Sequence, residues 1–313
     1  MNQALAISEN KSLRLFMLFT LYVGQGLPIG LFFYAIPAWM AELGASVTQI
    51  GSYSFIMALP WTLKFLNGFF LDRYVYLPMG RRRAWLLSAL FLMMVFLLVM
   101  AVVDPLPTQL SLLSGLSFAV MFATTFQDAA IDGMAADLVP VNEQAISSGA
   151  MFGGQLIGIA IGAAVTGYLI TASGFSTALY AMCAMVAVIF LAALLTRERP
   201  GEKILPWLRG EASADAQELQ ADDFKEILQT VGKSIIKKDS LKLIAVMMLS
   251  SIGFGLYTSG MPKIATELAG WTTQDYSSLT GTANLIAGFL CVFVFGVVAS
   301  RLGRKKVILF LLI

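Results

Sequence analysis

Long apolar runs, broken only by short polar stretches, constrain this chain more than any other feature. A helix needs about 20 apolar residues to cross the hydrocarbon of a bilayer, and eight runs meet that length: residues 13–39, 48–71, 84–103, 109–136, 146–171, 175–195, 241–265 and 274–299. The runs are continuous rather than alternating. In hydrocarbon every backbone N–H and C=O must be bonded within the protein, so an all-α membrane protein is expected rather than a barrel. With 58% hydrophobic residues, 13% charged residues and a mean hydropathy of +0.78, the chain has too little polar surface to dissolve as a globular domain. A ninth run opens at Val307 and meets the end of the sequence at Ile313, too short to cross, and reads as a helix cut short. The chain is therefore read as a fragment or truncated product.

The first run is too long for the core of a signal peptide and has no convincing small-residue cleavage site, so it reads as a retained helix. Lysine and arginine are kept preferentially on the cytoplasmic side of membrane proteins. Placing the N-terminus there puts every basic residue inside except Lys64 and Lys263. There is no histidine, and Cys183 and Cys291 both lie within apolar runs, so neither a metal site, a cofactor nor a disulfide framework is expected. The longest polar stretch, within residues 196–240, separates a first six-span unit (1–195) from a second unit (241–313). Inside it, Phe224, Ile227, Leu228, Val231 and Ile235 recur at helical spacing behind Asp223 and Glu226, the pattern of an amphipathic helix lying on the membrane surface.

The two units carry matching polar punctuation. PAWMAELGASVTQ (37–49) and PKIATELAGWTTQ (262–274) share proline, Glu-Leu and Thr-Gln at a constant offset of 225 residues. GFFLDR (68–73) followed by GRRR (80–83) is echoed by GVVASR (296–301) followed by GRKK (303–306). Shared leucines are common to apolar helices, but aligned polar residues point to duplication and to the parallel-repeat layout of a 12-helix transporter. The paired loop resembles the hallmark loop of the major facilitator superfamily. GQGLPIGLFFYAIPAWM (24–40), LKFLNGFFLDRYVYLPMGRRRAWLL (63–87) and FQDAAIDGMAADLVPVNEQ (126–144) resemble its AmpG-type muropeptide permeases, whose relatives include acetyl-coenzyme A transporters. The resemblance implies a six-helix N-terminal half and an incomplete C-terminal half. It also implies proton-driven import of anhydromuropeptides across a bacterial inner membrane, and an inner gate formed by Gly68, Asp72, Arg73, Gly80, Arg81, Arg82, Arg83 and Asp137. The second copy of the loop, with Gly296, Arg301, Gly303, Arg304 and Lys305, is degenerate, because Ser300 stands where the first half has Asp72.

Ionisable side chains inside spans are costly and are functional candidates for that reason. Lys64 and Asp128 are expected at similar depth, paired or facing one water-filled cavity. Asp128 and Asp132 are four residues apart and share a helix face, whereas Asp137 points to the opposite side, toward the basic loop. The Asp128 and Asp132 face, with Gln127, is expected to line the pathway and exchange the coupling proton. Tyr22 and Gln25 are the polar candidates of the first span, which Pro28 and Gly30 are placed to break. Gly154, Gly158 and Gly162 form a small-residue stripe suited to close helix packing.

A secondary transporter, bound by lipid and acting as a monomer on a small solute with protons and no nucleic acid, is the expected class. Acyl-coenzyme A, sugars or peptides are alternative solutes. A membrane-embedded enzyme would need a clustered base, nucleophile or metal near an interface, and the acids here are dispersed within spans.

Overall fold

In a computed structural model the chain is described over residues 6–218, 232, 233 and 235–302. Among the described residues, eight helical segments are long and apolar enough to cross a membrane: α1 (Lys11–Glu42), α2 (Val47–Arg73), α3 (Arg83–Val103), α4 (Leu110–Leu138), α5 (Val141–Ser173), α6 (Phe175–Leu195), α7 (Lys238–Ala269) and α8 (Thr273–Ala299). These are the eight runs of the sequence; α6 keeps the bounds of its run, and the others differ from theirs by a few residues. Among the described residues only helices, turns and one isolated bridge between Ala6 and Arg197 occur. The residues at Phe224 to Val231, the ninth run and Gly303, Arg304 and Lys305 lie outside the described residues.

Glycine sets the packing at the centre. A Cβ on Gly154, Gly158 or Gly162 of α5 would stand 2.2 to 2.5 Å from the carbonyl oxygens of Phe19, Val23 and Leu27 in α1. The reverse face is equally close, since a Cβ on Gly26 would meet the Gln155 oxygen at 2.1 Å. The two helices touch backbone to backbone, as small-residue stripes allow in lipid. A second glycine face of α5, Gly149 and Gly153, packs on Gly296 and Gly288 of α8. α5 thereby joins the first unit to the second.

Several spans depart from a regular α ladder. α1 runs unbroken through Pro28 and Gly30, and interrupts instead as a π turn at Leu31–Ala35, where Ile36 N–H reaches back to the Leu31 oxygen. The expectation that Pro28 and Gly30 break the helix is thus corrected. The irregularity precedes Pro37, whose ring cannot join the i to i−4 ladder. α2 stops at Thr62, two residues past Pro60, and restarts at Lys64. α8 has a π turn at Cys291–Phe295, and the repeat carries Cys291 to residues 63–66, at the α2 break. Both second spans also open on a capping box: Ser46 with Gln49, and Thr272 with Asp275.

Residues 196–204, at the start of the polar stretch, pack onto the first unit. Ile7 and Ser8 donate backbone N–H to the Arg197 and Glu198 oxygens at 2.9 Å each, and Lys203 N–H reaches the Pro78 oxygen at 2.7 Å.

Candidate functional site

Where α2 restarts, Lys64 turns inward toward α4. Its ammonium forms an ion pair with Asp128 and a second with Asp132 at 2.7 Å. The two carboxylates differ in surroundings: the Asp128 side chain is 3% exposed and that of Asp132 is 43% exposed. Tyr22 of α1 donates its hydroxyl to the second oxygen of Asp132. Gln25, one turn on and buried, donates to Asp128 and leaves its own carbonyl oxygen without a partner. The ammonium also lies 5.9 Å from the ring centroid of Trp61, within cation–π range.

These groups surround a cavity of about 380 Å³, lined by Tyr22, Gln25, Trp61, Lys64, Asp128 and Asp132 and, from α5, Ser148, Met151, Phe152 and Gln155. Polar groups converge there among aromatic walls, as in small-molecule sites. With both acids ionised the triad carries one excess negative charge. An isolated charge at this depth would be costly, and the pairing offsets that cost.

Of the residues singled out for a pathway, Lys64, Asp128, Asp132, Tyr22 and Gln25 meet at this cavity. Gln127 does not: it is fully buried and donates to the Leu21 backbone oxygen at 2.8 Å. One residue along the helix from Asp128 is about 100° around its axis, which turns Gln127 into the contact with α1. Gln155, Trp61 and Ser148 line the cavity without having been singled out. Gln155 sits one residue from Gly154 in the stripe, and a polar residue flanking a close-packed seam was the available signal.

At the arginine-rich end, Asp72 accepts from Arg81 at 3.0 Å and Arg82 at 2.5 Å, while Asp137 lies 3.2 Å from Arg81 and 3.6 Å from Arg82. Two arginines of one loop thus bridge the ends of α2 and α4. Arg82 crosses α4 over Gly133, where a Cβ would stand 2.6 Å from its Nε. Arg83 takes another part. It donates to the backbone oxygens of Ala193, Leu194, Lys203 and Ile204, tying down the end of α6. Arg73 is exposed and forms no ion pair among the described residues, Gly68 has open space around it, and Arg301 is exposed.

A buried carboxylate organises this loop. Glu198 is 0% exposed and accepts the backbone N–H groups of Arg81, Arg82 and Arg83 at 2.9, 2.7 and 2.5 Å. Burial pushes its carboxyl above the usual range, and the three N–H bonds act in the opposite direction. Gly80, at φ +100° and ψ 160°, gives the requirement for glycine two causes: only glycine takes that backbone readily, and a Cβ would stand 2.7 Å from the Glu198 carboxyl carbon. Glu202 accepts from Arg199 N–H at 3.0 Å and Ser213 at 3.1 Å. Burial, then the charge of Glu198, pushes its pKa up to about 7. Sequence reasoning missed Glu198. The available signal was a missing cap, since α3 begins after Arg82, which cannot accept its first N–H groups.

A model of the Major Facilitator Superfamily matches residues 18–313. An uncharacterized protein of Haemophilus influenzae is 24% identical over 286 residues, 90% of this chain and 64% of its own length. The anhydromuropeptide permease of Escherichia coli K12 is 27% identical over 183 residues, 58% of this chain and 37% of its own. A Rickettsia felis protein named AmpG 4 is 23% identical over 309 residues, 95% of this chain and 70% of its own. The chain thus spans less than two thirds of the length of the first two of these relatives. Eight membrane-length helices and a family match over nearly the whole sequence lead to one assignment: the chain belongs to the Major Facilitator Superfamily, with AmpG-type permeases among its relatives.

Proposed function

We propose that this protein is a secondary transporter that carries a small acidic solute of the anhydromuropeptide type inward together with protons. It does so as a monomer in a bacterial inner membrane, with its N-terminus on the cytoplasmic side. The observation that carries this reading is Lys64 held between Asp128 and Asp132 at a cavity of about 380 Å³.

Two carboxylates share one ammonium, so a single proton brings the triad to neutrality. When one of the two carboxylates takes that proton, it releases its hold on Lys64. A carboxylate of the solute then replaces it on the ammonium, which links the proton and the solute in one site. Repacking of the two halves exposes the cavity to each face in turn. Arg81 and Arg82, on Asp72 and Asp137, serve as the inner gate in this scheme. The permease name of the Escherichia coli relative supports the choice of solute.

Uptake of labelled anhydromuropeptide into membrane vesicles bearing this protein tests the proposal. Saturable uptake that an uncoupler abolishes is expected. Uptake of acyl-coenzyme A, a sugar or a peptide in its place would change the solute, and uptake indifferent to the uncoupler would remove the proton.

A further inference from the structure

We propose that Glu42 is the latch that closes the end of the molecule opposite the arginines, and that it closes by capping the first turn of α8 across the two halves. This rests on the reading of the halves as moving bodies and names the contact that must break.

Glu42 ends α1. One of its carboxylate oxygens accepts the backbone N–H of Thr273 at 2.8 Å and also the Thr273 hydroxyl. Thr273 is fully buried and is the first residue of α8, where backbone N–H groups have no partner within the helix. The local capping box accepts the Thr272 and Asp275 N–H groups, and the Thr273 N–H goes to the other half.

The offset of 225 residues that relates the two units carries Glu42 to Glu267 and Thr48 to Thr273. The latch therefore joins the Glu-Leu of one copy to the Thr-Gln of the other, which gives the shared punctuation a physical role. The reciprocal contact is absent: Glu267 pairs with Lys263 in its own helix at 3.0 Å, and Thr48 is exposed. Lys263 corresponds by the same offset to Ala38, so copy one has no cation one turn away to hold Glu42. Glu42 is free to cross while Glu267 is held. Phe33 of α1 and Phe254 of α7 also meet, with ring centroids 6.0 Å apart, as a second contact between halves.

Thiol labelling tests this in protein whose native cysteines are replaced (Cys183→Ser, Cys291→Ser) and whose cavity carries Gln155→Cys as reporter. An impermeant maleimide is applied from the face opposite the arginines. Glu42→Ala is expected to raise the labelling rate roughly tenfold, the scale of one charge-assisted hydrogen bond. With Glu42→Cys and Thr273→Cys together, oxidation is expected to cut labelling at the residue 155 thiol, read by peptide mass so that the two introduced thiols do not count, below the parent, and a reductant is expected to restore it. An unchanged rate in Glu42→Ala, or a cross-linked pair that labels as fast as its reduced form, overturns the latch. Labelling that responds as expected, while the parent protein with its native Gln155 takes up no anhydromuropeptide, would overturn the proposed solute and leave the latch standing.

Discussion

The two ends of the bundle use carboxylates on helix N-termini in opposite ways. At the arginine-rich end, Glu198 takes three backbone N–H groups at the start of α3 and is fully buried; donor and acceptor both belong to the first unit or the residues that follow it. At the other end Glu42 reaches from α1 to α8 in the second unit, and its own side chain stays exposed. A contact within one unit can be buried and permanent. A contact between units that move has to be remade in each cycle, and one partially solvated carboxylate is suited to that. The chemistry is the same, and burial decides whether it serves as a fastening or a latch.

That contrast predicts unequal losses. Glu198→Ala strands three buried N–H groups, each costing about 1 to 3 kcal/mol when unsatisfied. The stability loss should be on the order of 3 kcal/mol or more, seen as a large drop in unfolding temperature in detergent. Next comes pH. The folded pKa of Glu202 is raised to about 7 from an ordinary 4.5, so its protonated form favours the folded linker. That contribution is complete below about pH 4.5 and is lost as pH rises through 7. Unfolding midpoints followed from pH 5 to 8 should fall with rising pH, and Glu202→Gln should flatten the trend. Glu42→Ala should cost only about 1 kcal/mol in the same melts, as expected for a net hydrogen bond at an exposed site. A loss as large as that of Glu198→Ala would make Glu42 a fastening and erase the contrast. Smallest of all, Arg73→Gln should stay within about 0.5 kcal/mol of the parent, since nothing among the described residues pairs with it.

Much of this was legible in the sequence because membrane helices are written in runs. Length and hydropathy are local properties, so all eight spans could be placed before any packing was known. Lys64, Asp128 and Asp132 stood out for a related reason: a charge among apolar residues must find a partner, and depth along each helix says which partners are in reach. Direction around the helix was harder. Gln127 and Asp128 are neighbours in sequence, yet one bonds α1 and the other lines the cavity. Glu198 was invisible because a polar residue in a polar stretch carries no contrast, and its role appears only when the chain folds back on Arg81, Arg82 and Arg83. Gly80 shows the same limit from the other side. Its place in the loop pattern was plain, but the carboxylate that requires it lies 118 residues away in sequence.

The account centres on Lys64 as the group that receives an acidic solute, and equilibrium binding tests that most directly. Labelled anhydromuropeptide is titrated onto the purified parent protein and onto Lys64→Gln, with unfolding temperatures confirming that both are folded. The account predicts binding to the parent and at least about tenfold weaker binding to the variant, the loss of a charge-assisted contact. A folded Lys64→Gln protein that binds the solute as tightly as the parent would contradict it.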